Sequence, residues 1–280
     1  MANFDQAEGL RRMLEGPKPR VLTFLSALHE NEKSGMLINL GVSLARQGQQ
    51  VLMVDARSSQ NSIGAWLNAN ADQTLLDVAR QQRTMQDAIK IISSGFSITM
   101  LSKYATASTS LPAENFRRLS RVFDVAVNRS DVVIVDSEID LNDAFPLASL
   151  DESEIVMQVS ANPTTIKTAY GLIKRVNNRI GRRSYGILVS GSTEKEARLI
   201  YTNMAQAASR YLAVPLHFVG YVPEDDHMKK AAYLGRSVID AFPLAGASLA
   251  FSRLAEHFSL AARSTFGLQK IPNLGVRLEI

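Results

Sequence analysis

The stretch that decides the fold is Val21–Arg57, VLTFLSALHENEKSGMLINLGVSLARQGQQVLMVDAR. It begins with an apolar run at Val21–Leu25 and ends after a second run at Val51–Val54, and neither run alternates with polar residues. Continuous apolar runs are typical of strands covered on both faces, as in a parallel sheet. The segment between them has apolar residues at helical spacing, namely Leu37, Leu40, Leu44 and Ala45. The stretch therefore predicts a strand–helix–strand unit with a right-handed crossover.

The same alternation continues along the rest of the chain. Further apolar runs lie at Ile98–Leu101, Val132–Val135, Ile155–Val159, Tyr185–Val189 and Phe218–Val222. Helical spacing recurs between them and after them, at Ala169, Leu172, Ile173 and Val176 and again at Leu249, Leu254 and Phe258. We predict an α/β fold with one doubly wound, mostly parallel sheet and helices on both of its faces.

Composition excludes several classes of protein. The 280 residues are 46% hydrophobic and 21% charged, which is globular and neither disordered nor collagen-like. The absence of cysteine excludes disulfides and a thiolate nucleophile, and four scattered histidines argue against a zinc enzyme. An excess of 31 basic over 27 acidic side chains is too mild to indicate a specific nucleic-acid partner. With no apolar run of membrane-spanning length and no signal-peptide pattern, we expect a cytoplasmic protein.

Polar residues follow three of the predicted strands, at the edge where open parallel sheets bind ligands. After the first strand we predict a loop of about eight residues and then a helix that opens on Lys33 and Ser34, which is phosphate-loop geometry. Asp55 ends the second strand and Asp136 ends Val132–Val135, and the two carboxylates complete a plausible Mg-nucleotide frame. Ordinary helix caps at the same positions are the alternative.

This order of features resembles the deviant Walker A region of MinD/ParA-type ATPases, whose loop reads K-G-G-x-G-K-[ST] and precedes a D-x-D. By that resemblance Lys33 and Ser34 take the places of the residues that contact phosphate and Mg²⁺, and Asp136 takes that of the switch II aspartate. Three further segments are similar to the flagellar number regulators FlhG/FleN: DQAEGLRRML at Asp5–Leu14, SANPTTIKTAYGLIKRV at Ser160–Val176 and VGYVPEDDHMKKAAYLGRSV at Val219–Val238.

The loop departs from the family pattern at its chemical positions. Leu28 replaces the signature lysine, Arg57 replaces the second aspartate of D-x-D, and His29, Glu30 and Glu32 replace glycines. Non-glycine residues in phosphate-loop conformations cost about 1–3 kcal/mol each, and acidic side chains repel a polyphosphate. We therefore predict a pseudo-ATPase whose nucleotide site is vestigial at Lys33, Ser34, Asp55 and Asp136. We expect no catalytic residue and no cofactor, with Mg-ATP or Mg-ADP, and Mg²⁺ on Ser34, only if the site is still competent.

Two alternatives to a simply decayed site stay open. In one, Arg57 occupies the vacant phosphate position and pairs with Glu30, Glu32 or Asp136, which locks the site without nucleotide. In the other, the chain is a working ATPase with a divergent loop, or a partitioning or secretion regulator of the same fold.

The resemblance implies a division into residues 1–16 as a partner-binding helix and linker, 17–260 as a MinD-like domain and 261–280 as a tail. In the family, the D-Q-A-x-x-L-R helix binds the signal-recognition-particle-type GTPase FlhF, so Asp5, Gln6, Leu10 and Arg11 are the expected contacts. Flagellar switch proteins and a flagellar transcription activator are further family partners. We expect a monomer or weak homodimer, little or no membrane contact because Pro272 and Gly275 break the tail, and a site of action that includes the cell pole.

Overall fold

The computed structural model describes residues 18–28, 30–57, 73–103 and 112–259. Within these ranges eight strands form one sheet: β1 (Arg20–Ser26), β2 (Val51–Asp55), β3 (Ile89–Ser93), β4 (Phe96–Met100), β5 (Val132–Asp136), β6 (Glu154–Ser160), β7 (Tyr185–Ser190) and β8 (Leu216–Val222). Their order is β3-β4-β2-β5-β1-β6-β7-β8. Every neighbouring pair is parallel except β3 and β4, which are antiparallel.

Helices connect the strands and cover both faces of the sheet. They are α1 (Glu30–Arg46), α2 (Leu75–Ala79), α3 (Met85–Ala88), α4 (Ala113–Val127), α5 (Pro163–Ile180), α6 (Glu194–Leu212), α7 (Asp226–Tyr233), α8 (Val238–Ala241) and α9 (Gly246–Phe258), with a short 3-10 turn at Ala148–Glu152. The described residues confirm the predicted fold class, a doubly wound and mostly parallel α/β sheet.

Two hydrophobic cores separate the molecule into layers. One face of the sheet packs against α2, α4, α5 and α6, and buries residues such as Leu119, Phe123 and Ile173. The other face packs against α1, α7, α8 and α9, and buries residues such as Leu37 and Phe251. The central strands β2 and β5 are buried at every position, which explains why their sequences are continuously apolar.

The second core holds α1 close to the sheet. A Cβ atom added at Gly41 of α1 would lie 2.6 Å from Cε2 of Phe96 on β4, which is closer than carbon atoms can pack. The helix therefore approaches the sheet at a residue that has no side chain, and α9 lies beside it. This packing sets the position of the first turn of α1, where the predicted site lies.

Two details of the sequence prediction were wrong. The strand β3 was not predicted, because it is a short edge strand with only partial burial that enters an antiparallel hairpin through Gly95 (φ +76°). On α9, Leu249 was expected on the buried face but is 50% exposed. The buried face of that helix instead includes Ala247, Phe251, Leu254 and Phe258, because small residues let the helix pack closely.

Candidate functional site

The candidate site lies at the carboxyl edge of the sheet, where β1 ends between β5 and β6. This is the kind of position at which open α/β sheets bind ligands. Asp136 at the end of β5 is in register with Phe24 of β1 and with Asp55 at the end of β2. The sheet thus brings the two predicted aspartates side by side, as the sequence analysis expected.

The connection from β1 to α1 is shorter than predicted. The strand ends at Ser26 and the helix begins at Glu30, so only three residues, 27–29, separate the two elements. The expected loop of about eight residues was wrong: Lys33 closes the first turn of α1 and Ser34 begins its second turn, so neither residue lies at the cap of the helix. The physical reason is the absence of glycine: residues 30–32 have no need of a left-handed backbone, and an acidic residue such as Glu32 suits the first turn of a helix.

The turn is held by backbone contacts from its neighbours. The amide of Ala27 donates to the carbonyl oxygen of Gln158 on β6 at 3.1 Å, and the amide of Leu28 donates to Ser26 Oγ at 3.1 Å. Leu28, which stands in the place of the family's signature lysine, is 8% exposed. A buried leucine in this turn presents no charge toward a ligand or a second subunit.

Three charged side chains meet at the end of β5. Lys33 Nζ lies 2.9 Å from Asp136 Oδ1, and Arg57 Nε lies 2.9 Å from Asp136 Oδ2. The three side chains are 5%, 2% and 0% exposed for Lys33, Arg57 and Asp136, respectively. The contacts are close charge pairs without the alignment of linear hydrogen bonds. Of the partners considered for Arg57, Asp136 is confirmed, whereas Glu32 is exposed and the side chain of Glu30 lies outside the description.

Asp55 completes this group as a second carboxylate. It is 1% exposed, and its Oδ1 accepts a hydrogen bond from the backbone amide of Arg57 at 3.2 Å. The backbone amide of Ala56 also donates to the carbonyl oxygen of Asp136 at 2.9 Å, which ties the end of β2 to the end of β5. We call Lys33, Asp55, Arg57 and Asp136 the charge quartet. Its two formal positive and two formal negative charges cancel within the protein.

Ser34, the fourth predicted site residue, lies beside Lys33 in α1 and is 4% exposed. In the part of the chain that the structure describes, no group of three or more His, Cys, Asp and Glu side chains is placed to hold a metal ion. The pairing of Lys33 with Asp136 was not predicted, because Lys33 was expected to face phosphate. The spacing of a lysine in the first turn and an aspartate at a neighbouring strand end could have indicated it.

The segment around Asp225, one of those that carry the family resemblance, has a structural task. Asp225 Oδ1 accepts from the backbone amide of His227 at 2.9 Å, and its Oδ2 accepts from the amide of Ala247 at 3.0 Å. Burial alone would raise the pKa of Asp225, but these hydrogen bonds outweigh it and lower the pKa below the usual value. The carboxylate joins the start of α7 to the start of α9, the helix that packs against α1.

Other predicted residues fall outside the described ranges. The predicted partner contacts Asp5, Gln6, Leu10 and Arg11 and the tail after residue 259 belong to this group, as does His29. The domain boundaries at residues 16 and 260 also fall there and stay predictions. Among the described residues, no helix is both long enough and apolar enough to cross a bilayer.

Comparison with known proteins shows what the chain is similar to. No protein-family model matches the chain. The chain is 27% identical over 225 residues to the antiactivator FleN of Pseudomonas aeruginosa, and the match covers 80% of each protein. The chain is a FleN/FlhG homologue. A second relative of this homologue is an uncharacterized ATP-binding protein of Methanocaldococcus jannaschii, 25% identical over 229 residues, which cover 80% of this chain and 81% of the relative.

Solved structures show that the FleN/FlhG homologue has the MinD/ParA fold. The cell division ATPase MinD of Pyrococcus furiosus superposes with a TM-score of 0.61 at 19% identity, over 85% of this chain and 97% of MinD. MinD of Pyrococcus horikoshii, solved with Mg-ADP, gives a TM-score of 0.60 at 19% identity, over 85% and 95% of the two chains. The first of these structural neighbours is an ATPase and the second was solved with Mg-ADP. The question for this chain is therefore why the two cations of the charge quartet face a carboxylate of the protein and not a nucleotide.

Proposed function

We propose that this FleN/FlhG homologue regulates flagellar number, placement or biosynthesis, and that it does so by binding other proteins. The proposal is carried by the match to the antiactivator FleN, which extends over 80% of both chains. An antiactivator opposes an activator, and contact between proteins is sufficient for that task.

We further propose that the chain is a pseudo-ATPase, and the charge quartet supports this. In a triphosphate site, cations must face the ligand, but Lys33 and Arg57 both face Asp136 at 2.9 Å. A polyphosphate would have to separate buried pairs, and removing a partner from a buried ion pair costs about 3–5 kcal/mol. The connection at residues 27–29 also lacks glycine, so it cannot easily wrap around an anion. The residues present do not fit Mg-ATP.

Titration calorimetry with Mg-ATP and Mg-ADP tests the pseudo-ATPase proposal. We expect no binding in the micromolar range by the wild-type chain. Lys33→Ala should then change stability without changing a nucleotide affinity, and Lys229→Ala, an exposed lysine of α7, is the matched control. Micromolar binding with measurable phosphate release would contradict the proposal.

The competing function is a working ATPase with a divergent loop. Two observations favour it: the structural neighbour from Pyrococcus horikoshii was solved with Mg-ADP, and the relative from Methanocaldococcus jannaschii is an ATP-binding protein. This alternative predicts that Lys33→Ala abolishes nucleotide binding and cellular function together, while Lys229→Ala preserves both. The two lysine variants therefore separate the two functions in one experiment.

The N-terminal segment supplies a second proposal, on the FlhF-type GTPase as partner. Gln6 lies in the stretch DQAEGLRRML, which keeps the family pattern while the nucleotide loop does not. The full-length protein should accelerate GTP hydrolysis by the cognate GTPase, and Gln6→Ala should remove the acceleration. Lys229→Ala, at an exposed lysine of α7, is the control and should leave it unchanged. No acceleration by the wild-type protein would remove this partner and leave a switch protein or a transcription activator as the candidates.

A further inference from the structure

A groove lies between α2 and α4, on the face of the sheet opposite α1. Its volume is about 540 Å³. Val78 and Ala79 of α2 and Val122 of α4 give it an apolar floor, and Arg117, Arg118 and Arg121 of α4 line its side. We call this the arginine groove. The three arginines share one face of the helix because residues i, i+1 and i+4 lie close together around it.

The charges of the arginine groove are only partly balanced. Arg118 pairs with Glu114 one turn earlier, at 2.7 Å. Asp77, the acidic residue of α2, is occupied in its capping box, where Oδ2 accepts from the amide and hydroxyl of Thr74 at 2.9 Å. Within the described ranges Arg117 and Arg121 have no ion-pair partner, and both are exposed. The groove thus presents two unbalanced cations above an apolar floor.

The rim of the groove also carries a strained residue. Gln81, which follows α2 and lines the groove, has φ +62°, in the left-handed region that favours glycine. Holding a glutamine there costs on the order of 1 kcal/mol, and such strain is often kept where a side chain serves a contact. Gln81 adds an amide donor and acceptor beside the arginines.

The segments of this chain outside the description do not match the groove in charge. Residues 58–72 contain a single charged side chain, residues 104–111 contain none, and residues 260–280 are net positive. Residues 1–17 have nearly balanced charges. Nucleic acid fits less well, because the described residues that line the groove are aliphatic or charged and include no aromatic side chain for base stacking.

We propose that the arginine groove is a docking site for an acidic, amphipathic segment of a partner protein. Carboxylates of such a segment would pair with Arg117 and Arg121, while its apolar side chains would cover Val78, Ala79 and Val122. Arginine forms bidentate pairs with carboxylates, so the arginines would fix the orientation of the bound carboxylates as well as attract their charge. The groove lies on the face of the sheet opposite α1, so it would give the regulator a contact surface distinct from the first turn of that helix.

Fluorescence anisotropy with the full-length protein tests the proposal. The probe is a labelled amphipathic helical peptide of Leu and Glu, and the comparison peptide carries Gln in place of Glu. We expect the Glu peptide to bind about tenfold more tightly than the Gln peptide and to weaken as salt is raised. Equal binding of the two peptides would overturn the proposal.

Two double variants assign the binding to this surface. Arg117→Glu with Arg121→Glu should weaken the Glu peptide by about tenfold or more. Lys229→Glu with Lys230→Glu changes the net charge equally, at exposed positions on the opposite face, and should leave affinity within about twofold. Equal losses in both variants would show nonspecific attraction and overturn the site. Tighter binding of duplex DNA, lost with the arginines, would assign the groove to nucleic acid and also overturn it.

Discussion

The charge quartet and the arginine groove both contain basic side chains, but these are buried and paired in the quartet and exposed in the groove. In the quartet, Lys33 and Arg57 are buried and both face the carboxylate of Asp136. In the groove, Arg117 and Arg121 are exposed and the structure gives them no ion pair among the described residues. The first region is the one where the sequence predicted a ligand site, and the second lies where no ligand site was predicted.

The difference shows where a new partner can gain free energy. A buried pair that is already formed must be broken before a ligand can use either charge, and breaking it leaves a buried charge without its compensating partner. Exposed and unbalanced arginines lose only water when a carboxylate arrives, although each exposed pair contributes only about 0–1 kcal/mol. Several such pairs above an apolar floor can add to a useful affinity. The sequence motifs therefore indicate a ligand at the charge quartet, whereas the charges that are available to a partner lie in the arginine groove.

The largest expected effect comes from removing the shared carboxylate of the quartet. Asp136→Asn leaves Lys33 and Arg57 buried beside a neutral amide, so the free energy of unfolding should fall by about 3–5 kcal/mol. Urea denaturation followed by circular dichroism measures it. A loss below about 1 kcal/mol, the range of exposed pairs, would mean that the quartet is solvated and open to a ligand.

Much of this fold could be predicted because strands that are buried on both faces of a parallel sheet have continuously apolar sequences. The runs at Val51–Val54 and Val132–Val135 are buried at every position and were predicted within one residue. The edge strand β3 was not predicted, since a strand paired on one side needs no continuous apolar run. Local pattern thus reports central strands better than edges.

The site was predictable in part, for the same physical reason. Parallel strands end at one edge, so the meeting of Asp55 with Asp136 followed from the strand assignments alone. Whether Lys33 faces a phosphate or pairs with Asp136 depends on side-chain distances, and no sequence pattern gives those distances. The arginine groove was missed because it needs two helices, α2 and α4, to approach each other, although the spacing R-R-x-x-R at Arg117–Arg121 could have indicated a basic helix face.

The strained residue of the groove offers a second test with the opposite sign. Gln81→Gly removes the steric cost of the left-handed backbone, so stability should rise by roughly 0.5 kcal/mol after the greater freedom of glycine when unfolded is allowed for. Gly95→Ala is the matched control, because Gly95 has φ +76° and an added Cβ would meet the carbonyl oxygen of Gln49 at 3.1 Å. That variant should lose about 1–3 kcal/mol. Thermal unfolding of both variants measures the difference, and a destabilised Gln81→Gly would place the residue in a structural role.

The smallest expected effect separates stability from binding within the groove itself. Glu114→Gln removes an exposed ion pair to Arg118, an i,i+4 pair at 2.7 Å, so the free energy of unfolding should fall by only about 0.3–0.5 kcal/mol. The same change frees a third arginine to face an acidic segment, so affinity for the Glu peptide should rise by about twofold. Anisotropy and urea unfolding on one preparation measure both quantities. Weaker binding in this variant would show that Glu114 orients Arg118 for the ligand and does not compete with the ligand for it. In the quartet the corresponding loss of a carboxylate is strongly destabilising, because the buried cations there cannot be solvated by water.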